Sequence, residues 1–288
     1  MKIKEGIGYR IFDILNYVLL GALSLVFLWP LWYVLVSSFS NGFAVLRNET
    51  FFYPVGFNTD SYKAIFKIPD FVEAYKNTIG YVVVGVFMSM LLTILCAYPL
   101  SRPKLYGRKV FSTIVLITMF FSGGVVPTYI IVTQTLRLRG YLITPLLIST
   151  LNVFNMILMR TFFQGLPESI FESAHIDGAN DLTILAKIVL PLSKPIIATI
   201  FLYYSVDLWN SYFNFSLYLR DHFPLQVFIK NFIINSSTGD VAQSFNGNVS
   251  DTTVKYAIIT LTLIPILSLY PFIQKYLIKG SLLGSIKG

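Results

Sequence analysis

The residue types that most often carry enzymatic chemistry are scarce in this sequence. Its 288 residues include one cysteine and two histidines. Cys96 lies in an apolar stretch, where a lone thiol has no partner for an intramolecular disulfide, and His175 and His222 do not have the spacing of a metal site. No nucleophile is paired with an acid or a base, which leaves a membrane enzyme as the least supported class.

The sequence also lacks the phosphate-binding loop of an ATPase. That loop needs two glycines with four residues between them, followed by Lys and Ser or Thr, and the glycines and lysine of 280–287 have the wrong spacing and order. Any work that this chain performs must therefore draw its energy from another protein or from a gradient.

Polar residues with a clear pattern are concentrated in the acidic segment, residues 168–195. Gly178 divides it, which predicts a helix that ends in a left-handed cap, followed by a second helix capped by Asn180 or Asp181. Pro167 suits the first turn of the first helix. Pro191 and Pro195 are expected to end the second one.

Each predicted helix of the acidic segment has an apolar side. In the first helix the apolar residues are Ile170, Phe171, Ala174 and Ile176, and in the second they are Leu182, Leu185, Ile188 and Val189. The exposed face is expected to carry Glu172, Ala174, His175 and Asp177, with Ala174 counted on both sides. A loop that lies on a lipid surface is the alternative, but such loops favour Lys and Arg. Four acidic and two basic residues between Glu168 and Lys194 favour a protein partner instead.

Five further polar residues lie inside apolar stretches, where a solute pathway or hydrogen bonds between helices would explain them. They are Asn152, Asn155, Asn210, Tyr212 and Asn214. Amides, hydroxyls and aromatic faces suit sugars. Asp207 is the one acidic residue in these stretches, and a proton relay there lacks a basic partner, so an interfacial site or a structural hydrogen bond is the preferred interpretation.

The elements that position these residues are membrane helices. The chain is 55% hydrophobic and 12% charged, whereas a soluble domain carries about 25% charged residues. The net charge of +8 is not arranged as basic patches interleaved with aromatic residues, so we attribute it to the positive-inside bias and expect no nucleic-acid partner.

Six apolar segments are long enough to cross a bilayer core of about 30 Å. The predicted spans are 14–39, 74–100, 110–135, 142–163, 196–219 and 255–276. Gly123, Gly124 and Pro127 interrupt the third span, either at a bend that lines a pathway or at its outer end. The first span is too long for the apolar region of a signal peptide and is expected to remain as an anchor.

Charge sets the predicted orientation. The basic loop, residues 101–109, has four basic residues and no acidic one, so we place it in the cytoplasm. Six crossings then put both termini and the acidic segment on the same side. The fold class is therefore an all-α polytopic membrane protein, with six transmembrane helices and a cytoplasmic helix-turn-helix between helices 4 and 5.

The acidic segment resembles the EAA signature of permease subunits of binding-protein-dependent ABC importers. The matching residues are Glu172, Ala174, Gly178, Ile188, Leu190 and Pro191, with Ser173 where the signature usually has a second alanine. Several other stretches are similar to the carbohydrate branch of that family, closest to the subunits for complex oligosaccharides. They are Asp177-Gly178-Ala179, the run from Leu190 to Pro195, Trp209-Asn210, 270–276 and the closing residues.

The resemblance implies a mechanism and a set of partners. The first half of the motif would be a coupling helix in a groove of an ATPase. The coupling site would consist of Glu172, Ser173, Ala174, Asp177, Gly178, Leu190 and Pro191. Two ATPase subunits would use ATP and Mg²⁺ to switch this chain and a second, homologous permease between inward-facing and outward-facing states. A solute-binding protein outside would deliver the oligosaccharide. The chain itself would hold no cofactor and no metal.

The domain prediction is a single transmembrane domain over 1–288 in the cytoplasmic membrane of a prokaryote. Its core spans about 71–276, preceded by a first helix in 1–40 and followed by a cytoplasmic tail, 277–288, with the EAA loop at 164–195. A self-sufficient carrier or channel is the alternative, but such proteins need charged pathway residues or repeated broken helices. Six spans without a visible repeat suit half of a two-subunit pore better.

Overall fold

The fold is entirely helical in the part of the chain that can be described. The computed structural model describes residues 7–235 and 249–285, which contain helices and no β-strand. The predicted all-α class is therefore confirmed. In chain order the helices are α1 (Ile7–Ser38), α2 (Gly42–Leu46), α3 (Asp60–Phe66), α4 (Pro69–Ser101), α5 (Arg108–Phe120), α6 (Val125–Ile130), α7 (Thr144–Ser149), α8 (Val153–Gln164), α9 (Glu168–Ile176), α10 (Asp181–Ile184), α11 (Leu190–Leu192), α12 (Lys194–Asn210), α13 (Phe213–Tyr218), α14 (Leu225–Asn235) and α15 (Asp251–Ser285).

Several of these helices are long and apolar enough to cross a membrane. Among the described residues the continuous ones are Gly8–Ser38, Pro69–Ser101 and Asp251–Leu269. Two bent pairs could each serve as one more span, namely Arg108–Phe120 with Val125–Thr135 and Asp181–Leu192 with Lys194–Asn210. By length and composition the number is thus three to five, and the predicted count of six is not confirmed.

The fourth predicted span, 142–163, is divided into two short helices. The side chain of Asn152 accepts a hydrogen bond from the backbone N–H of Asn155 at 3.2 Å, and its backbone is extended (φ −90°, ψ 116°). An N-cap starts a new helix, so α7 and α8 cannot form one continuous rod. Asn152, which was interpreted as a polar group inside a span, is the cap at which α8 begins.

The predicted interruption of the third span is confirmed. Helix α5 ends at Phe120 and α6 begins at Val125, with an angle of 108° between the two parts of the pair. Gly124 has φ 83°, a left-handed conformation that favours glycine. Residues Ile131–Thr135 continue α6 as a π-helix.

The chain forms two compact units, each of which we describe by itself. The first contains the described parts of 1–69 and 231–264, and the second those of 70–230 and 265–288. In the first unit the Ser38 hydroxyl and the Tyr62 hydroxyl lie 2.7 Å apart, and the Tyr33 and Tyr256 rings meet edge to face. The prediction of one domain over 1–288 stays a prediction.

The core of the second unit is formed by helices α4, α7, α8 and α12. Gly85 lies where three of them meet, because a Cβ atom there would stand 2.7 Å from a methyl group of Leu208 and 3.0 Å from one of Leu146. A glycine is the residue that permits such close approach.

A buried hydroxyl links the same helices. The Tyr204 hydroxyl lies 2.7 Å from the Thr93 hydroxyl and accepts a hydrogen bond from the backbone N–H of Asn152 at 3.1 Å. Tyr204 is 1% exposed and Thr93 is fully buried, so both need a partner inside the protein. The start of α8 is thereby tied to α4 and α12.

We predict that Tyr204→Phe destabilises the protein by about 1–3 kcal/mol, because the buried Thr93 hydroxyl and the backbone N–H of Asn152 lose their partner. Tyr203→Phe is the matched control, since Tyr203 is 44% exposed. The measurement is the thermal unfolding midpoint of the purified chain in detergent. Equal midpoints for the two variants would contradict this account of the core.

Candidate functional site

The acidic segment begins with a short helix whose end was predicted from sequence. Pro167 is the residue before α9, and Glu168 lies in the first turn, where the helix dipole favours a negative charge. At the other end the N–H of Ala179 donates to the carbonyl of Ala174 at 2.9 Å, and the N–H of Gly178 donates to that of His175 at 3.0 Å. These two bonds form a Schellman motif with Gly178 at φ 79°, which confirms the predicted cap.

The second half of the segment starts at a capped helix and ends in a bend. The side chain of Asn180 accepts a hydrogen bond from the N–H of Thr183 at 2.8 Å, so Asn180, rather than Asp181, is the cap. The chain continues as a π-helix over Leu185–Val189 and then as α11. Pro191 lies inside this run, and it removes one N–H from the ladder and favours the wider turn before it. The bend of 84° to α12 falls at Ser193.

The buried face of the segment differs from the predicted one at three residues. Ala174 is 6% exposed because it shares a face with Phe171, so its assignment to the exposed face was wrong. Ile176 is 86% exposed and Leu182 is 71% exposed, although both were assigned to apolar sides. In the second half Ile184 and Val189 are fully buried.

Four residues of the predicted coupling set form the outward-facing part of the segment. Glu172, Ser173, Asp177 and Gly178 are exposed. The Ser173 hydroxyl donates to the carbonyl of Ser169 at 2.8 Å, so the serine adds no unsatisfied group to the surface. Pro191 is also exposed, whereas Leu190 is half-buried against the core of the second unit.

Arg102 holds the first helix of the segment against the rest of the unit. Its guanidinium carbon lies 3.5 Å from the centre of the Phe171 ring, and Nη2 donates to the carbonyl of Phe163 at 3.0 Å. Nε donates to the Ser101 hydroxyl at 3.2 Å. Nη1 is 3.7 Å from the Glu168 carboxylate. One side chain thus joins α4, α8 and α9.

The electrostatics of this clamp follow from its burial. The Arg102 side chain is 14% exposed and that of Glu168 is 49% exposed. Burial lowers the pKa of Arg102, and the nearby Glu168 carboxylate acts in the opposite direction. Because an arginine remains protonated even when buried, the charge must be satisfied by the ring face and the carbonyl rather than lost.

A groove separates the acidic segment from the basic loop. This groove has a volume of about 980 Å³. Arg102 and Phe171 line its floor, Lys104 and Tyr106 line one rim, and Glu172 and further residues line the other. Tyr106 is 97% exposed, and the neighbouring His175 Nε2 lies 4.0 Å from the Asp181 carboxylate. The groove therefore offers an aromatic ring and charges of both signs, which suits a protein surface.

The five polar residues predicted to line a pathway have mostly local or interhelical partners. Asn152 caps α8, Asn214 donates to the Ser149 hydroxyl at 3.1 Å, and Asn210 donates to the carbonyl of Val206 at 2.9 Å. Asn155 is 5% exposed. The ammonium of Lys230 lies 4.1 Å from the centre of the Tyr212 ring. These contacts fit the alternative of structural hydrogen bonds, and a role in a pathway stays a prediction.

Sequence reasoning did not identify Arg102 as part of the site. It was counted only as one of the charges that orient the basic loop. The available signal was Phe171, the one aromatic residue of α9, whose buried ring needs a partner. Nothing in the sequence pairs it with a residue so far away along the chain.

The fold and the site together define a class. The chain has several helices of membrane-spanning length, and its short acidic helix α9 is held against the core of the second unit with one face exposed. Within the described residues no cluster of His, Cys, Asp and Glu could hold a metal ion.

The chain belongs to the family described as the binding-protein-dependent transport system inner membrane component, whose model matches residues 89–281. It is 41% identical to the polygalacturonan/rhamnogalacturonan transport system permease protein YtcP of Bacillus subtilis (strain 168), over 97% of this chain and 99% of that protein. It is 37% identical to protein LplC of the same organism, over 97% and 96% of the two chains.

The solved structures include a close match in fold. A chain in the crystal structure of a bacterial ABC transporter involved in the import of the acidic polysaccharide alginate superposes with a TM-score of 0.89. The two chains are 37% identical, and the match covers 96% of this chain and 99% of that one. The family resemblance stated from the acidic segment is therefore confirmed, and the chain is a permease component of an ABC-type transport system.

We predict that Arg102→Gln loosens α9 from the core without unfolding the chain, because the ring face of Phe171 and the carbonyl of Phe163 lose their cation. Backbone hydrogen exchange of Glu168–Ile176 should become about 5–30 times faster, the effect of one to two kcal/mol. Arg102→Lys should restore only part of the protection, since an ammonium lacks the planar fork.

Lys104→Gln is the control for this experiment, because it removes the same charge from the same loop at an exposed position. Exchange in α9 should be unchanged in that variant. If Arg102→Gln and Lys104→Gln gave the same exchange rates, the clamp would be an incidental contact.

Proposed function

We propose that this chain is one of two homologous permease subunits of an ATP-driven importer, and that α9 is its coupling helix. The partners would be a second permease, two cytoplasmic ABC ATPase subunits that bind ATP and Mg²⁺, and an external solute-binding protein. The chain would contribute no ATPase site of its own. The observation that carries the proposal is the exposed acidic face of α9, held by Arg102 beside an open groove.

The coupling site of this proposal consists of two parts. Glu172, Ser173, Asp177 and Gly178 would contact the ATPase, while Ala174 would hold the helix to the core from its buried side. Leu190 and Pro191 would belong to the rigid connection to α12. Asn180 supports this division, because its cap starts the second part directly after the Gly178 turn.

The proposed orientation places the basic loop, the acidic segment and both termini in the cytoplasm of a prokaryote, in line with the charge bias of the basic loop. The family description as an inner membrane component supports the membrane assignment. On this proposal the groove opens to the side from which the ATPases approach. The single transmembrane domain over 1–288 is proposed with the same boundaries.

The proposed substrate is an oligosaccharide derived from an acidic polysaccharide. The support is the agreement of two relatives that share more than a third of their residues with this chain. One is named for polygalacturonan and rhamnogalacturonan, and the other belongs to a transporter for alginate. Polygalacturonan and alginate are both polymers of uronic acids. The polar residues proposed to line the substrate pathway remain Asn152, Asn155, Asn210, Tyr212 and Asn214.

We predict that Gly178→Ala reduces substrate uptake and substrate-stimulated ATP hydrolysis together, while the chain still inserts and assembles. A Cβ atom at Gly178 would meet nothing within 4 Å, so the change acts only through the left-handed backbone, at a cost of about 1–2 kcal/mol. Gly178→Asn is the matched variant, since asparagine tolerates this conformation and should recover part of both activities.

Glu172→Gln should have the same direction of effect through the loss of a surface charge that faces the ATPase. The assay is uptake and ATP hydrolysis by the reconstituted importer, with co-purification of the ATPase as the assembly control. Full activity of both Gly178→Ala and Glu172→Gln would place the coupling contact elsewhere. Failure to co-purify any ATPase or second permease would overturn the proposed class of machine.

The substrate prediction is tested separately in the wild-type importer. Oligogalacturonates of three to five sugars should be imported and should stimulate ATP hydrolysis, whereas neutral maltooligosaccharides of the same length should do neither. Import of the neutral sugars alone would refute the acidic substrate and leave the coupling site untouched, so the two proposals fail independently.

A further inference from the structure

A second cavity also borders the basic loop, and the proposed coupling mechanism does not use it. This basic pocket has a volume of about 760 Å³ and lies at the start of α5. Its basic residues are Arg108, Lys109 and Arg160. Within the described ranges none of the three is paired with a carboxylate.

Two of these cations are held side by side by one neutral side chain. With its amide oxygen turned towards them, Gln164 accepts a hydrogen bond from Nε of Arg160 at 3.2 Å and another from Arg108. Nε of Arg108 donates to the carbonyl of Leu100 at 3.0 Å. Two guanidiniums that share an amide without a neighbouring carboxylate keep most of their positive charge for an external anion.

The backbone at the start of α5 also offers hydrogen-bond donors to an anion. Gly107 precedes α5 with φ 72°, and no side chain caps this helix of 13 residues. The N–H groups of Lys109 and Val110 therefore have no acceptor among the described residues. A free helix N-terminus carries partial positive charge and binds phosphate readily.

A buried polar side chain at the basic pocket gives independent support for a ligand there. The hydroxyl of Ser112 is buried, with the residue 9% exposed, and it has no hydrogen-bond partner. Ser112 lines the basic pocket. The neighbouring Thr113 hydroxyl donates to the carbonyl of Lys109, the usual arrangement within a helix, whereas Ser112 leaves that option unused. A buried hydroxyl without a partner is costly unless a ligand supplies one.

The surroundings select a lipid over a soluble anion. Helix α5 is the first part of a bent pair that could serve as one membrane span, and on that assignment its N-terminus lies at one edge of the apolar layer. Val110 lines the pocket, and Val110, Phe111 and Ile114 continue along α5 with 53–62% of their surface exposed. An apolar wall directly beyond a cationic pocket matches the acyl chains and the phosphate of one molecule.

We propose that the basic pocket binds the headgroup of an anionic phospholipid. The phosphate diester oxygens accept from the guanidiniums of Arg108 and Arg160, the ammonium of Lys109, the Ser112 hydroxyl and the free amides at the start of α5. The acyl chains lie along Val110 and Ile114. The lipid thereby joins α5 to the end of α8, next to the basic loop that also carries the Arg102 clamp.

The test uses the full chain in detergent, titrated with phosphatidylglycerol and, in parallel, with phosphatidylcholine. Retained lipid is counted by native mass spectrometry, and the unfolding midpoint is measured on the same samples. We expect phosphatidylglycerol to bind and to raise the midpoint, and phosphatidylcholine to do neither.

The variants are chosen to leave the fold intact. Ser112→Ala removes a hydroxyl that has no partner in the protein, so stability without lipid should be equal to or higher than that of the wild type, while phosphatidylglycerol affinity falls about tenfold, the effect of losing a hydrogen bond to a charged group. Lys109→Gln should lower the affinity about fivefold. Lys104→Gln removes the same charge from the same loop but lines the groove, and its affinity should match the wild type.

Two outcomes would overturn the proposal. One is equal phosphatidylglycerol affinity in Ser112→Ala, Lys109→Gln and Lys104→Gln, which would mean that the lipid binds by surface charge alone. The other is full protection of the midpoint by millimolar inorganic phosphate in place of the lipid, which would make the pocket a site for a soluble anion.

Discussion

A largely buried arginine is the constraint on which one end of the second unit depends. The guanidinium of Arg102 is charged and 14% exposed, so the protein must surround it with acceptors and a ring face. It obtains these from Ser101 at the end of α4, Phe163 in α8, and Phe171 with Glu168 in α9. A movement of α9 that left the other two elements in place would strand a buried charge. The contacts of Arg102 therefore link the three elements.

Neutral groups link the helices α4, α8 and α12 in the core of the second unit. The Tyr204 hydroxyl of α12 contacts the Thr93 hydroxyl in α4 and accepts a hydrogen bond from the backbone N–H of Asn152, the residue before α8. The absence of a side chain at Gly85 lets α4 pack closely against Leu208 of α12. The acidic segment is thus connected to α12 both along the chain, through the π-helix, and through the contacts of α4.

The sequence predicted local conformation well because local chemistry determines it. The end of α9 at Gly178, the cap at Asn180 and the break at Gly124 each follow from the properties of one residue type. It failed where a choice depended on neighbours. Asn152 was interpreted as a pathway group or as a hydrogen-bonding group between helices, and the sequence did not show that it caps α8. Ala174 could face either way because a small side chain carries no strong signal. Arg102 was missed because its partners come from distant parts of the chain.

The basic loop shows why a charge count predicts orientation but not role. The positive-inside rule treats its four cations as equivalent, since each contributes one charge to the same side of the membrane. In the structure they differ in what surrounds them. Arg102 is largely buried in the clamp, Lys104 is exposed and lines the groove, and Arg108 and Lys109 line the basic pocket. Position within the loop, rather than its total charge, is the property that the fold specifies.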